Sequence, residues 1–290
     1  MKRGLTITLV FEASSLNYGE GMGNISVLKH LTRADRQQYT YISRQALRYS
    51  MIDQLGWDNT PTEANGSGSK KVIQFQPSAT IDKYPEIDLF GYMKTEKGSG
   101  AKTRSAVVRL TSGVSLEPFQ ADLDFLTNMG MARRTGENNA IAQSEQHRSF
   151  YSYTITIDLD RIGIDENDSI SLPNDEKTRR VCDFLSCVEY LYRDIKGRRE
   201  NLAPLFAIGG VYARKAPFFE GRVKLHQHKL DLDMLRCALE AAPEGTNIGY
   251  LPGTFANDAA IRETLSPLSI GKFFDWLRAE VEQAYAGDSN

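Results

Sequence analysis

Apolar and polar residues alternate in two stretches of the chain with the two-residue period of a strand. Leu5, Ile7 and Leu9 alternate with Thr6, Thr8 and Val10 and predict a strand over 5–11. The alternation is clearest over 151–159, where Tyr151, Tyr153, Ile155, Ile157 and Leu159 interleave with Ser152, Thr154, Thr156 and Asp158. Such a strand belongs to a sheet with one buried face and one polar face. Shorter apolar runs predict strands over 106–110 and 205–213. The second carries Gly209-Gly210, where a bulge or a close backbone approach is expected. Elsewhere the period is helical. Leu47, Met51 and Leu55 recur every four residues, with Ser43 placed to cap the start of a helix over 44–55 and Gly56 to close it. Val181, Phe184, Leu185, Val188 and Leu191 form one stripe and predict a helix over 175–196, with Asn174 as N-cap. Helices over 231–241 and 268–285 follow, the last with Phe273, Phe274, Leu277 and Val281 at helical spacing.

Two regions interrupt this order. Residues 57–104 contain the polar stretches Asn65–Ser69 and Lys97–Gly100 around a short apolar piece, Leu89–Met93. Residues 119–149 have little apolar periodicity and a polar centre, Arg133–Asn139. Both read as insertions rather than separate domains, and no internal repeat is present. Without them the elements run β-α-β-β-α-β, an α+β, ferredoxin-like arrangement shared with RNA-recognition domains.

The 290 residues carry 35 Lys and Arg against 37 Asp and Glu, a net charge of −2, with 41% apolar and 25% charged residues. These values exclude a wholly disordered chain, a collagen-like fibre and a small disulfide scaffold. They leave nucleic-acid binding open, because a basic face can be balanced by acid elsewhere. No apolar run is long enough to span a membrane, and the start, Met1-Lys2-Arg3, leads into a strand-like pattern rather than a signal-peptide core. Cys182, Cys187 and Cys237 are odd in number and lack CxxC spacing, so they read as reduced, buried residues of a cytoplasmic protein.

Catalytic signatures are missing: there is no GxSxG, HExxH or Walker-type loop. His226 and His228 would share a face of a strand, with Asp231 and Asp233 nearby, yet no third ligand at recognisable spacing completes a metal site. The pairs Asp158/Asp160 and Asp122/Asp124 identify no chemistry. The expectation is no catalytic residue, no metal and no cofactor. The loop Gly19-x-Gly21-x-Gly23-Asn24 follows the first strand and could offer backbone N–H groups to a phosphate, or simply be a flexible loop. Arg44 and Arg48 project from one side of the predicted helix, towards an anion or towards solvent. Lys94, Lys97, Lys102, Arg104 and Arg109 add cations against Glu96 alone. Arg133-Arg134 marks the second insertion, and Arg214-Lys215 ends the fourth strand. Several such contacts to phosphates would give sequence-independent, salt-sensitive binding.

Five stretches carry a resemblance: Gly19–Asn24 (GEGMGN), Ser43–Tyr49 (SRQALRY), Asp88–Met93 (DLFGYM), Ser112–Phe119 (SGVSLEPF) and His147–Tyr153 (HRSFYSY). In order through the first half of the chain, they resemble the DevR-type (Cst) Cascade backbone subunit of type I-B CRISPR systems. The resemblance implies one hand-shaped domain over 1–290: an RNA-recognition-like palm, fingers formed by 57–104 and a thumb formed by 119–149. It implies copies stacked along the CRISPR RNA, other Cascade subunits as partners, and target DNA met through guide pairing. The family's RNA-backbone contacts carry over to Arg44, Gln45 and Arg48, and further to Asn24 and Lys29. Arg104, Arg133 and Arg134 join them as basic candidates. The palm strands lack the paired aromatic motifs that stack bases, in keeping with backbone-directed binding. Two other readings remain: a metal-dependent ribonuclease using Glu20 or a nearby acid, and a structural protein without nucleic acid.

Overall fold

The computed structural model describes residues 3–14, 16–66, 68, 71–96, 100–139 and 141–287. Lys2, part of the Asn65–Ser69 stretch and Lys97–Ser99 therefore lie outside the described residues. An eight-stranded antiparallel sheet organises the chain. Its order runs Asn247–Tyr250, Phe206–Tyr212, Gly4–Ala13, Ser149–Asp158, Gly113–Ser115, Gln38–Ile42 and His30–Thr32, and Val108–Leu110 also pairs with Ser149–Asp158. The four strands expected from the sequence thus lie in the spatial order fourth, first, third, second. Ile7 stands opposite Ile155 on one side and Gly209 on the other. At this crossing a Cβ on Gly209 would lie 2.0 Å from the Thr6 carbonyl oxygen, which is the close approach that the glycine permits.

Alternation assigns each strand residue to a face. Leu5, Ile7, Leu9 and Phe11, with Tyr151, Tyr153, Ile155 and Ile157, pack against the helices Arg44–Leu55, Asn174–Glu189 and Ile270–Ala286. Leu47, Met51, Phe184, Val188, Phe274 and Leu277 supply the helical side of this core. The sequence pattern implied an open polar face, but the structure covers it in the centre. Thr6, Thr8 and Thr154 are buried, Thr8 and Thr154 share a hydroxyl hydrogen bond of 2.8 Å, and Thr6 donates to the Ala216 carbonyl. A second core of Val10, Phe206, Ile208, Phe219, Leu235 and Phe255 seals the Phe206–Tyr212 end of that face.

Helix Arg44–Leu55 has the expected ends. The Ser43 hydroxyl accepts from the Ala46 amide, and Gly56 closes the helix at φ 64°. The helix expected over 175–196 stops at Glu189 instead, and Asn174 is its first residue rather than its cap; the Asn174 side chain donates to the Tyr285 carbonyl. Beyond Leu191 the apolar stripe ends and the chain turns back as a hairpin, Tyr192–Ile195 with Arg198–Asn201. The 57–104 region holds the hairpins Thr62–Asn65/Val72–Phe75 and Tyr92–Glu96/Gly100–Arg104 and the helix Pro85–Phe90. The 119–149 region holds Asp122–Thr127 paired with Ile141–Gln146, joined through helix Met129–Thr135. Leu123, Phe125, Leu126, Met129 and Met131 are exposed along it. Cys187 is buried and Cys182 half-buried, but Cys237 is exposed, which corrects the expectation that all three are interior. His226 and His228 diverge across a tight turn, towards Asp231 and Glu117 respectively, and do not share a strand face. Among the described residues no helix is long and apolar enough to cross a membrane.

Candidate nucleic-acid interface

The start of helix Arg44–Leu55 is fixed by its neighbours. Asn17 Nδ2 donates to the Ser43 hydroxyl at 3.1 Å, so the base of the glycine-rich loop holds the residue that caps the helix. Leu47, Ser50, Met51 and Ile52 are buried, which leaves Arg44, Gln45, Arg48 and Tyr49 on the outer side. Arg44, Gln45 and Arg48 line a cleft of about 620 Å³ with Phe90, Ser105, Ala106, Val108, Arg109 and Leu110. No carboxylate lines it. Arg44 and Arg109 are exposed, and neither has an acidic partner among the described residues. The positive end of the helix dipole lies beside Arg44 and adds to the positive charge at this rim of the cleft.

Arg48 is held more firmly than its sequence position suggests. Its Nη2 lies 3.1 Å from Glu86 Oε1, and its guanidinium sits 4.8 Å from the centre of the Phe90 ring. Glu86 is mostly buried, so the pair aims Arg48 while neutralising part of its charge. Arg109, which stands opposite Thr156 in the strand Val108–Leu110, also lines this cleft, whereas the sequence presents it only as one cation in a basic run. That the Val108–Leu110 strand borders the same cleft as the helix is not revealed by local sequence.

Arg104 leaves the candidate set. Its side chain is buried, and Nη2 donates to Asp88 Oδ1 at 2.7 Å and to the Arg161 carbonyl at 2.9 Å, while Nη1 donates to the Ile164 carbonyl. Arg180 Nη1 approaches the other Asp88 oxygen at 2.9 Å, and the Gly163 amide donates to the same carboxylate. Burial pushes the Asp88 carboxyl upward, and the guanidiniums and the amide oppose that shift. This knot ties the base of the 57–104 insertion to helix Asn174–Glu189. Lys94 is also buried, donating to the Ala79 carbonyl; Lys102 pairs with Asp168, and Lys215 with Asp158 and Asp160. Most of the basic run is therefore spent on internal acids.

The remaining candidates lie apart from the cleft. Asn24 is exposed at the far end of the glycine-rich loop, where its carbonyl accepts from the Gln143 amide and its Nδ2 donates to the Ile141 carbonyl at 3.4 Å. Ile25–Ser26 runs parallel to Gln143–Ser144, so the loop is docked on the 119–149 hairpin. Lys29 is half-buried at the loop's base, where its backbone bonds Asn17 and Tyr41. Arg133 and Arg134 are exposed in the last turn of helix Met129–Thr135 without acidic partners among the described residues. Glu20 is exposed at the loop tip, and no cluster of three or more potential metal ligands occurs among the described residues. At the insertion's base, His147 Nδ1 meets the Thr40 hydroxyl at 2.8 Å, and Phe119 packs between His30 and His147. Burial lowers the His147 pKa below the usual histidine value.

Sheet, helices and cleft define a mixed α/β protein with an arginine-bearing helix beside an open cleft. Over residues 5–227 the sequence matches the family model "CRISPR-associated negative auto-regulator DevR/Csa2", and the chain belongs to that family. A curated relative, "CRISPR-associated protein Cas7/Cst2/DevR" of Myxococcus xanthus (strain DK1622), is 28% identical over 158 residues; the match covers 49% of this chain and about half, 52%, of the relative. Two solved chains have a similar fold. One, from a "CRISPR RNA-guided surveillance complex, pre-nicking", has a TM-score of 0.63 at 13% identity, covering 96% of this chain and all of that one. The other, from a "CRISPR RNA-guided surveillance complex", has a TM-score of 0.57 at 16% identity, covering 98% and 99% of the two chains.

Proposed function

We propose that the chain is a non-catalytic CRISPR RNA-binding backbone subunit of a type I-B Cascade effector. Copies of it would line the guide RNA alongside other Cascade subunits, with target DNA recognised through guide pairing. In this reading the sheet is a ferredoxin-like palm, 57–104 the fingers and 119–149 the thumb. The observation that carries it is the carboxylate-free cleft lined by Arg44, Gln45, Arg48 and Arg109. Guanidiniums bind phosphate oxygens in a forked geometry and read no base, so a guide held this way keeps its pairing edges open. The buried threonines in the centre of the sheet favour the helix-side cleft over the sheet face used by RNA-recognition domains.

The test is purification of the chain from cells that express a CRISPR array. The expected wild-type product carries RNA, seen as a high 260/280 absorbance ratio, and Arg44→Ala/Arg48→Ala loses most of it at equal folding. A nucleic-acid-free wild type without salt-sensitive RNA binding would favour the structural-protein alternative. Magnesium-dependent cleavage of a complementary RNA, abolished by Glu20→Gln, would favour the ribonuclease.

A further inference from the structure

Helix Arg44–Leu55 has a second neighbour that the sequence pattern hides. Arg48 turns towards Glu86 and Phe90, whereas Gln54 bonds the backbone of Tyr190 and Tyr192, where the hairpin Tyr192–Asn201 begins. From there the hairpin runs to the glycine-rich loop: Arg193 donates to the Leu16 carbonyl, and Lys196 Nζ donates to the Ser26 hydroxyl at 2.8 Å. The Lys196 amine also lies 4.9 Å from the centre of the Tyr18 ring. Exposed Gln45 and Tyr49 thus lie on a helix whose flanks are held by the fingers and by this hairpin.

The hairpin's acids are already engaged. Asp194 takes both forks of Arg199, each at 2.8 Å, and Glu200 pairs with Arg198 and accepts from the Ser14 amide. Lys196 is exposed and has no acidic partner among the described residues. Its backbone is unusual too. Lys196 and Gly197 occupy the left-handed region at φ 50° and 76°, a two-residue turn that favours Asn or Gly at its first position. A lysine there gives up turn preference and sets an ammonium group over the loop.

We infer that Lys196 and Ser26 form a second phosphate-binding contact for the single-stranded RNA held at Arg44, an assignment that rests on the RNA-binding reading above. The Lys196 ammonium keeps donors beyond the one given to Ser26, and the Ser26 hydroxyl, having accepted, still has its own proton to donate. One phosphate oxygen can accept from both. The guide would then be gripped on two sides of the helix.

Lys196→Asn tests this, because asparagine suits the turn while the ammonium group and its reach to Ser26 are lost. Binding of a labelled single-stranded RNA of mixed sequence is followed by anisotropy across a potassium chloride series. The expected result is several-fold weaker binding at low salt, with the slope of log K against log salt smaller by about 0.7, the value of one phosphate contact on a single strand. Lys196→Arg should restore both. Wild-type affinity and slope in Lys196→Asn, while Arg44→Ala/Arg48→Ala loses binding, would overturn this contact alone. A wild type that binds no RNA would overturn the backbone-subunit reading and this contact with it.

Discussion

Asp88→Ala is expected to loosen the attachment of the 57–104 region without touching the cleft. The carboxylate is fully buried and receives Arg104 at 2.7 Å, Arg180 at 2.9 Å and the Gly163 amide at 2.9 Å. Removing it leaves two guanidiniums in the interior without their counter-charge, a change that costs about 3–5 kcal/mol. The lower figure applies here, because Arg180 keeps Glu176 at 2.6 Å and the Ile81 carbonyl, and Arg104 keeps the Arg161 carbonyl. With an unfolding entropy of about 2.1 cal/mol/K per residue, a chain of this length changes stability by about 0.6 kcal/mol per degree at its midpoint. A loss of about 3 kcal/mol therefore lowers the Tm by about 5 °C. Differential scanning calorimetry measures the shift directly. Replacing all three partners by apolar residues, Asp88→Leu/Arg104→Met/Arg180→Met, should recover much of it, since no buried charge is then stranded. A Tm within about 1 °C of wild type for Asp88→Ala would refute the claim that this knot anchors the insertion.

Three further outcomes follow from the same structure. Gly209→Ala forces a Cβ to within 2.0 Å of the Thr6 carbonyl oxygen, so it should part the two central strands and leave little soluble protein, read as yield after centrifugation. His147 is buried with a lowered pKa, so the unfolded chain takes up its proton first as pH falls through about 6.5. Stability from this group is present above that pH and lost below it; the Tm should fall between pH 7 and 5, and fall less in His147→Gln. Arg104→Met should lower the Tm yet leave the salt slope of RNA binding unchanged, because its guanidinium faces Asp88 and not the cleft.

The sequence shows its structure where the determining signal is local. Ser43 and Gly56 bracket the helix over 44–55, and the alternation of 151–157 places four residues on the helix-packed face. It misleads where partners are distant. The basic run 94–109 looks like one cationic patch, but Asp88 takes up Arg104, and Asp168 takes up Lys94 and Lys102. Arg109, from the same run, stays exposed and borders the cleft that Arg44 lines. The helical stripe continues to Leu191 and masks the hairpin Tyr192–Asn201 that follows it, although Gly197 and the residues alternating around it mark a turn. Threonines on the polar face suggested open sheet because burial by a later segment, 216–265, leaves no trace in the strands themselves.

Ultraviolet cross-linking of the RNA-loaded protein, with modified peptides mapped by mass spectrometry, addresses the central claim directly. The account predicts adducts on the outer side of the helix, at Gln45 and Tyr49 and next to Arg44, with Arg109 protected from chemical modification when RNA is bound. Adducts confined to the far side of the molecule, around helix Ile270–Ala286, with Arg44 and Arg109 equally reactive in free and loaded protein, would contradict it.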